Sequence, residues 1–348
     1  MNSIRIISDD DVEHILDLKN TILCVENAYQ QKANNKATIL PLVSADLVEG
    51  KADMDIKSGI YQAENLFGLK LVAWFGENEM QGLPALTGMT MVFDLKNGFP
   101  RALINARHLT AMRTGAAGAV GIKYLAKKNA EVLVVVGTGH QAVFQIAATL
   151  TAVPTIRKVY LYNPRNEEKA KLLQESIRTK LSRIRNDIYD LKNEKWIQRI
   201  ETVEFSAVNN IESALSETDA VITITPSSQA LIRKEWVKPG THISCIGADL
   251  PGKQELDETL FKTVRVFVDD VGQASKVGEI QTAIRLGMVQ KELITEIGNV
   301  INGNEKGRLS NKDITVFDST GIALQDLAVA DYILKIAEEK NIGTIVNL

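Results

Sequence analysis

Residues 134–146, VVVGTGHQAVFQI, decide the fold of this 348-residue chain. A run of valines ends in Gly137, Thr138 and Gly139, and a helical pattern begins at about Ala142. The stretch matches the fingerprint G-x-G-x-x-G/A, in which the glycines allow a tight turn and a close approach to a pyrophosphate, and a small third residue lets strand and helix pack together. The phosphates then lie at a helix N-terminus, which favours negative charge. The stretch therefore predicts a dinucleotide-binding turn.

Strands and helices alternate on both sides of this turn. The strand candidates are short apolar runs: EVLVVVG (131–137), KVYLYN (158–163), AVITIT (220–225), HISCIGA (242–248) and RVFVDD (265–270). Amphipathic segments separate them, and this alternation predicts an α/β fold with a doubly wound parallel sheet of the Rossmann type. Residues 183–199 are longer than a crossover needs, so we expect them to extend the preceding helix or to form a surface excursion.

The two ends of the chain have a different pattern. The first 120 or so residues contain strand-like pieces broken by turn residues, which predicts a mixed or antiparallel sheet. Residues 322–341 read as a helix that we expect to pack against the N-terminal part. We therefore divide the chain into a dinucleotide-binding domain, 126–314, and an α+β domain built from 1–125 and 315–348.

Composition favours a globular protein with small-molecule partners. The chain is 45% hydrophobic and 24% charged, with a net charge of −3, so neither a nucleic acid nor a membrane is expected as a partner. No apolar run approaches the roughly 18 residues of a membrane span, and the N-terminus is acidic, so we expect a cytoplasmic protein. Cys24 and Cys245 belong to no CxxC or Cys/His cluster. We expect them to be small core residues, with neither a disulfide framework nor a metal site.

The end of the second parallel strand bears on the choice of cofactor. An Asp or Glu at this place accepts a hydrogen bond from the 2′-hydroxyl of NAD. Here the strand ends in YLYNPR, which offers Asn163 and Arg165 and no carboxylate. An uncharged residue with a nearby arginine suits a 2′-phosphate, so the pattern favours NADP over NAD. The alternative is that Arg165 is a solvated turn residue.

Three charged residues are candidates for a substrate site. Lys70 lies in the apolar stretch GLKLVAW and either extends to the surface or points into a cleft that binds an anion. Arg113 heads a helix of small residues, where it could bind a carboxylate or phosphate through two hydrogen bonds. Asp249 follows a strand at the carboxyl edge of the sheet, where doubly wound folds place active sites. Its alternative role is to form the turn before Leu-Pro-Gly.

The motifs together resemble the ornithine cyclodeaminase/mu-crystallin family. They occur in the family's order over nearly the whole chain: RTGAAGAVGIKYLA, VVVGTGHQA, IGADLPGKQELD, GQASKVGEIQ and ITVFDSTGIALQDLAVADYI. The resemblance implies a homodimer whose Rossmann domain is inserted in a substrate-binding and dimerisation domain made of both chain ends. It also implies hydride transfer between nicotinamide and the α-carbon of a small amino acid or cyclic imino acid, through a C=N bond.

The resemblance assigns roles to particular residues. Lys70 corresponds to the family's active-site lysine and Arg113 to the arginine that binds the substrate carboxylate. Asp249 corresponds to the aspartate that handles the substrate amine, for which a general base is needed. The residues matching the cofactor site are Gly137, Thr138, Gly139, Gln141, Ala142, Thr114 near the phosphates and Thr225 near the nucleoside.

Two departures from the cyclodeaminase pattern leave the reaction open. Cyclodeaminases carry another arginine early in the N-terminal sheet, yet this chain has none between Arg5 and Arg101. We expect Lys57 to supply that charge, with Asp53 or Asp55 as a substrate-binding acid. The other departure is Asn163, which favours NADP. A cyclodeaminase recycles tightly held NAD and has no need of NADP.

Three functions therefore remain, with a cyclodeaminase-like reaction as the first expectation: Asp249 favours it, whereas Asn163 and the missing arginine favour a one-way enzyme. A cyclodeaminase converts ornithine to proline without net redox change. An amino-acid dehydrogenase or ketimine reductase transfers the hydride one way only. A binding protein like mu-crystallin uses the same scaffold without catalysis, although the retained Lys70, Arg113 and Asp249 argue against it.

Overall fold

The computed structural model describes residues 3–187, 189 and 192–348, which form two compact units. The first contains the N-terminal residues through Leu16, then Leu23–Arg113 and Ile322–Leu348. The second contains Asp17–Ile22 and Thr114–Gly321. These boundaries differ by several residues from the sequence division after residues 125 and 314.

The secondary structure is as follows. The strands are β1 Ser3–Ile7, β2 Thr38–Ile39, β3 Val43–Val48, β4 Ala52–Tyr61, β5 Leu66–Phe75, β6 Leu86–Asp94, β7 Pro100–Asn105, β8 Val132–Val136, β9 Lys158–Tyr162, β10 Glu204–Ala207, β11 Ala220–Thr223, β12 Ser228–Ile232, β13 His242–Cys245, β14 Gln254–Leu256, β15 Arg265–Val268, β16 Thr295–Glu296, β17 Thr315–Asp318 and β18 Thr344–Asn347. The α-helices are α1 Asp9–Ile15, α2 Leu18–Ala33, α3 Ala106–Leu125, α4 His140–Ala152, α5 Glu167–Ser182, α6 Glu194–Glu201, α7 Ile211–Glu217, α8 Val271–Val277, α9 Gln281–Arg285, α10 Ile297–Ile301 and α11 Ala323–Lys340.

The second unit is built on a parallel sheet. Its strands lie in the order β10, β9, β8, β11, β13, β17, β15 and β16, and neighbours run parallel. The chain order reverses between β8 and β11, and ligands bind at such a switch point in doubly wound folds. The central strands β8, β11, β13, β17 and β15 are almost wholly buried, as a sheet covered on both faces requires, whereas β9, β10 and β16 toward the edges are partly exposed. The predicted α/β doubly wound fold is confirmed.

The first unit is built on a mixed sheet. The order is β18, β1, β7, β6, β5, β4 and β2, with β3 also paired to β4. Strands β4 to β7 form antiparallel pairs, whereas β1 and β7 are parallel. Helix α11 packs on β4, β5 and β6, so the C-terminal helix does return to the N-terminal sheet, as predicted. Burial alternates along β4 from Asp55 to Tyr61, and the buried residues of this part share one face of the sheet.

Glycines on α3 let the second unit's elements approach closely. A Cβ atom at Gly115 would lie 2.5 Å from the carbonyl oxygen of Phe144, and one at Gly121 would lie 2.5 Å from Cδ1 of Phe317. A Cβ at Gly118 would overlap the side chain of Gln145. These positions are three residues apart and therefore lie along one side of the helix.

Residues 183–199 do not extend the preceding helix, and that alternative is wrong. Helix α5 ends at Ser182, and α6 returns so that the buried Trp196 donates from Nε1 to the carbonyl of Leu181 at 2.9 Å. Part of this excursion, residues 188, 190 and 191, lies outside the described residues. Cys245 is buried as expected, whereas Cys24 is only half-buried. Within the described part of the chain, no helix has the length and apolar character to cross a bilayer.

Candidate functional site

A row of buried polar side chains crosses the sheet of the first unit. Asp55 and Lys57 lie on the buried face of β4. Lys57 is directly opposite Lys70 on β5, and Lys70 is directly opposite Thr90 on β6. All four side chains are buried on the face that α11 covers. Charges are seldom buried unless they are paired, so this row needs partners.

Asp326, in the first turn of α11, is the main partner. Its Oδ1 accepts from Nζ of Lys70 at 2.9 Å and from Nε of Arg113 at 2.9 Å. The side chains are 1%, 1% and 6% exposed for Lys70, Asp326 and Arg113. Gln325 adds a further contact, since its Oε1 accepts from Nη1 of Arg113 at 2.9 Å and its Nε2 donates to the hydroxyl of Tyr29 at 2.6 Å.

These contacts change the pKa of both partners. Burial and the positive charge of Arg113 lower the pKa of Lys70 to about 7, although Asp326 opposes the shift. Burial raises the pKa of Asp326, but Arg113 and Lys70 outweigh it, and the net pKa lies below the usual value. Asp326 is therefore a carboxylate near neutral pH, while Lys70 can exchange a proton there.

Three acceptor atoms near these cations lack a hydrogen-bond donor within the part of the chain that the structure describes. Oδ2 of Asp326, Oδ1 of Asp55 and Oγ1 of Thr90 are buried and have no hydrogen-bond partner among the described residues. A buried acceptor without a partner is costly, so such atoms indicate a ligand that donates hydrogen bonds. The cations suit a carboxylate and these acceptors suit an amine or iminium, and an α-amino acid carries both kinds of group.

The structure places the predicted substrate residues Lys57, Lys70, Arg113 and Asp55 in one unit. One local expectation is wrong: Arg113 does not head its helix, because α3 begins at Ala106. The small residues that we read as a helix start continue a helix already formed.

Sequence reasoning missed the residues that complete this cluster, Asp326, Gln325, Thr90 and Tyr29. The available signal was in α11, where Gln325 and Asp326 interrupt the otherwise apolar stretch IALQDLAVA. A charged residue inside such a buried stretch needs a partner, but the sequence does not say which.

The predicted dinucleotide turn lies in the second unit, at the end of β8. Gly137 has φ +115°, a conformation that favours glycine, and a Cβ there would lie 2.6 Å from the carbonyl oxygen of Ile224. Gly139 is the N-cap of α4, and a Cβ added there would meet nothing within 4 Å. Ala142 is fully buried, as the small third residue of the fingerprint should be. The turn therefore fits a pyrophosphate.

Asn163 closes this turn from the end of β9. Its Nδ2 donates to Oγ1 of Thr138 at 2.7 Å, and its Oδ1 accepts from the backbone N–H groups of Arg165 and Asn166 at 3.0 Å each. Asn163 thus fixes both the phosphate turn and the start of the next helix. Arg165 is exposed, and its guanidinium extends from a backbone that Asn163 holds.

Asp249 follows β13 and precedes a turn. Its Oδ1 is 2.5 Å from Nζ of Lys253, and its side chain is 39% exposed. Thr225, after β11, donates from both N and Oγ1 to Oε1 of Glu255 at 2.7 Å. Thr114 is half-buried on α3, and its carbonyl accepts from Nε2 of Gln145 at 2.8 Å.

The second unit also buries carboxyl groups that the sequence analysis did not single out. Glu255, Glu279, Asp318 and Asp269 are at most 1% exposed. Burial raises the pKa of Glu255 to about 7 and that of Asp269 to about 6. Burial also raises the pKa of Glu279 and of Asp318, with neighbouring carboxylates adding to the shift, Glu255 for Glu279 and Asp269 for Asp318.

Comparison with known proteins assigns the family. The chain belongs to the ornithine cyclodeaminase/mu-crystallin family, whose model matches residues 4–341. It is 36% identical over 340 residues to an alanine dehydrogenase of Archaeoglobus fulgidus, covering 97% of each chain. Among solved structures it is similar to an archaeal alanine dehydrogenase dimer with bound NAD (TM-score 0.86, 33% identity, 99% of each chain). Another is the Δ1-pyrroline-2-carboxylate reductase of Thermococcus litoralis with NADH and L-proline (TM-score 0.86, 27% identity, 99% and 100% of the chains). The predicted family is confirmed.

Proposed function

We propose that this member of the family is an NAD(P)-dependent imine reductase or amino-acid dehydrogenase that transfers hydride one way at the α-carbon of a small amino or cyclic imino acid. The observation that carries the proposal is the buried carboxylate of Asp326 between Lys70 and Arg113, beside acceptors without partners. The named activities of the relatives support the one-way reaction over the cyclodeaminase reaction.

The first unit supplies the groups that bind and protonate the substrate. Arg113 and Lys57 bind the substrate carboxylate through charge-assisted hydrogen bonds. Asp55 and the free oxygen of Asp326 accept from the substrate nitrogen. Lys70, with its pKa near 7, gives a proton to that nitrogen during reduction and takes it back during oxidation.

The second unit supplies the cofactor site and one further acid–base group. Bound nicotinamide would exchange a hydride with the substrate's α-carbon. Gly137, Gly139 and Gln141 would hold its pyrophosphate, with Thr138, Ala142 and Thr114 beside the phosphates and Thr225 at the nucleoside. Asp249, paired with Lys253, takes the proton that the substrate ammonium must lose before hydride leaves, and the later iminium proton is the one that goes to Lys70.

We also propose that the protein prefers NADP to NAD. No carboxylate ends β9, and Arg165 is an exposed cation at that place. Arg165→Ala should weaken NADP binding about tenfold and leave NAD binding unchanged, because one charge-assisted contact to the 2′-phosphate is lost. The control is Lys171→Ala, which removes another exposed cation from the following helix. Tighter binding of NAD than of NADP to the wild-type protein would contradict the preference.

A homodimer is proposed as well. The face of the first sheet opposite Lys70 exposes apolar side chains, and Leu71 and Met89 are directly opposite each other there, 39% and 43% exposed. The similar alanine dehydrogenase is a dimer. Light scattering should give twice the chain mass of 38.3 kDa for the wild type and the single mass for the double variant Leu71→Asp, Met89→Asp. Leu172→Asp, at an exposed leucine of the second unit, is the control.

The activity test uses substrates in both directions. The protein is incubated with NADH or NADPH and either pyruvate with ammonia or Δ1-pyrroline-2-carboxylate, then with oxidised cofactor and alanine, proline, ornithine or lysine. We expect one mole of cofactor consumed per mole of product. Proline from ornithine without net cofactor change would instead identify a cyclodeaminase, and saturable binding without turnover would identify a binding protein.

A matched variant separates substrate from cofactor binding. Arg113→Met should raise KM for the carboxylate substrate at least tenfold and leave the dissociation constant of the cofactor unchanged. An unchanged KM would remove Arg113 from carboxylate binding.

A further inference from the structure

A side chain on α9 occupies the inside of the turn that follows Asp249. Leu250, Pro251, Gly252 and Lys253 form a type II turn, with proline at its second place and Gly252 at its third, where φ is +83°. The turn's own hydrogen bond is long, since the N–H of Lys253 lies 3.4 Å from the carbonyl of Leu250. The turn therefore depends on other contacts for its rigidity.

Gln281, the first residue of α9, makes those contacts. Its Oε1 accepts from the N–H of Gly252 at 2.9 Å. Its Nε2 donates to the carbonyls of Leu250 and Lys253 at 3.2 Å each and to that of Gly278 at 2.8 Å. One side chain thus satisfies three backbone groups of the turn and ties it to the start of α9.

The turn is in direct contact with Asp249 through Lys253. The Lys253 backbone is fixed by Gln281, and its Nζ lies 2.5 Å from Oδ1 of Asp249. Ahead of Asp249 the chain is anchored independently, because the N–H of Gly247 donates to Oε2 of the buried Glu255 at 3.1 Å. Asp249 is therefore held from both sides, by Glu255 before it and by the turn after it.

We propose that Gln281 is a positioning residue that fixes Asp249 by holding the turn at residues 250–253. The inference rests on the proposed role of Asp249 as an acid–base group. It adds a residue that does not itself meet the substrate. Losing it should lower the rate of proton transfer and leave cofactor binding unchanged, because a small displacement of a reacting group is costly in rate.

The test begins with a measurement that needs no activity. Amide hydrogen exchange over residues 246–254 should rise in Gln281→Met, which keeps the length of the side chain and removes its hydrogen bonds. The control is Gln254→Met, because Gln254 is also half-buried and bonds Leu256 and Glu258 rather than the turn. Gln281→Glu is the second variant, since it keeps the acceptor for Gly252 and loses the amide donors. Unchanged exchange in both Gln281 variants would overturn the proposal.

A double-mutant cycle then tests the link to Asp249. Gln281→Met should lower kcat about tenfold in the wild-type background and less than twofold beside Asp249→Asn, with the cofactor dissociation constant unchanged throughout. An equal loss in both backgrounds would show that Gln281 does not act through Asp249, and the proposal would fail. Wild-type turnover in Asp249→Asn alone would be a different failure, that of the proposed role of Asp249, and the positioning role would fall with it.

Discussion

Both units bury ionisable side chains, but they do so by different means. In the first, Asp326 lies between two cations, Lys70 and Arg113. In the second, Glu255 and Glu279 lie near each other, and backbone N–H groups supply most of their hydrogen bonds. Asp326 has a lowered pKa and Glu279 a raised one, although both are fully buried.

The comparison shows that burial alone does not set the charge of a carboxyl group. Burial raises the pKa of the carboxyl groups in both units. Neighbouring cations reverse that shift, and neighbouring carboxylates add to it. In the first unit, Asp326, Lys70 and Arg113 form ion pairs, and buried acceptor atoms beside them have no partner among the described residues. This cluster therefore suits a charged ligand. In the second unit, Glu255 and Glu279 have raised pKa values and therefore keep their protons to a higher pH than free acids do. Such uncharged groups suit a structural role.

Lys70→Met should lower turnover by about 10²–10⁴-fold, the usual contribution of a general acid or base. In the wild type, kcat/KM for imine reduction should fall as pH rises through about 7, because protonated Lys70 is the donor and its pKa is about 7. Initial rates from pH 5.5 to 9 test this. In Lys70→Arg the loss above pH 7 should disappear, since arginine stays protonated. An unchanged profile in that variant would assign the titration to another group.

Asp326→Asn should lower the free energy of unfolding by about 3–5 kcal/mol, because two buried cations lose their carboxylate. Urea denaturation at pH 7 measures it. Asp331→Asn is the matched control on the same helix: Asp331 pairs with Lys335, which is 55% exposed, so its loss should be at most about 1 kcal/mol. Equal effects in the two variants would mean that the first cluster is not held by its charges.

Glu255→Gln should cost about 1.5–3 kcal/mol of unfolding free energy. The carboxylate accepts from Thr225 through Oε1 and from Gly247 through Oε2, and a glutamine offers only one oxygen acceptor. The NH2 group of the glutamine would then face a hydrogen-bond donor, that of Gly247 or that of Thr225. Urea denaturation at pH 7 gives the loss, and a variant as stable as the wild type would show that Glu255 is already protonated there.

Glu279→Gln should instead stabilise the protein by about 1 kcal/mol at pH 8. The raised pKa of Glu255, from 4.5 to about 7, means that the native state holds an extra proton between these values, so the unfolding free energy falls as pH rises through this window. Burial and the charge of Glu255 raise the pKa of Glu279 as well, so its native carboxyl adds to that decline, and a glutamine there, which does not titrate, should flatten it. Urea denaturation of the variant and the wild type at pH 4.5 and at pH 8 measures this difference. An equal change in unfolding free energy at both pH values would contradict the raised pKa of these buried acids.

The sequence predicted what depends on local pattern. GTGHQA lies at the end of a buried strand as expected, and Lys70 and Arg113 stood out because their neighbours are apolar or small. The position of Asp326 could not be predicted, since it meets Lys70 across a sequence separation of 256 residues and only the packing of α11 on the sheet joins them. Glu255 and Glu279 read as ordinary acidic residues, because a sequence does not show which carboxyl groups the fold will bury together.

The glycines of α3 have a consequence for how this protein tolerates change. At Gly115, Gly118 and Gly121 even a methyl group would overlap a neighbour, and two of those neighbours are a backbone carbonyl and a phenyl ring that cannot easily move aside. A saturation mutagenesis scan should therefore show a helical period of intolerance to larger residues along α3, whatever their polarity. Directed evolution of this scaffold would do well to leave these positions out of its libraries and to vary the exposed side chains instead.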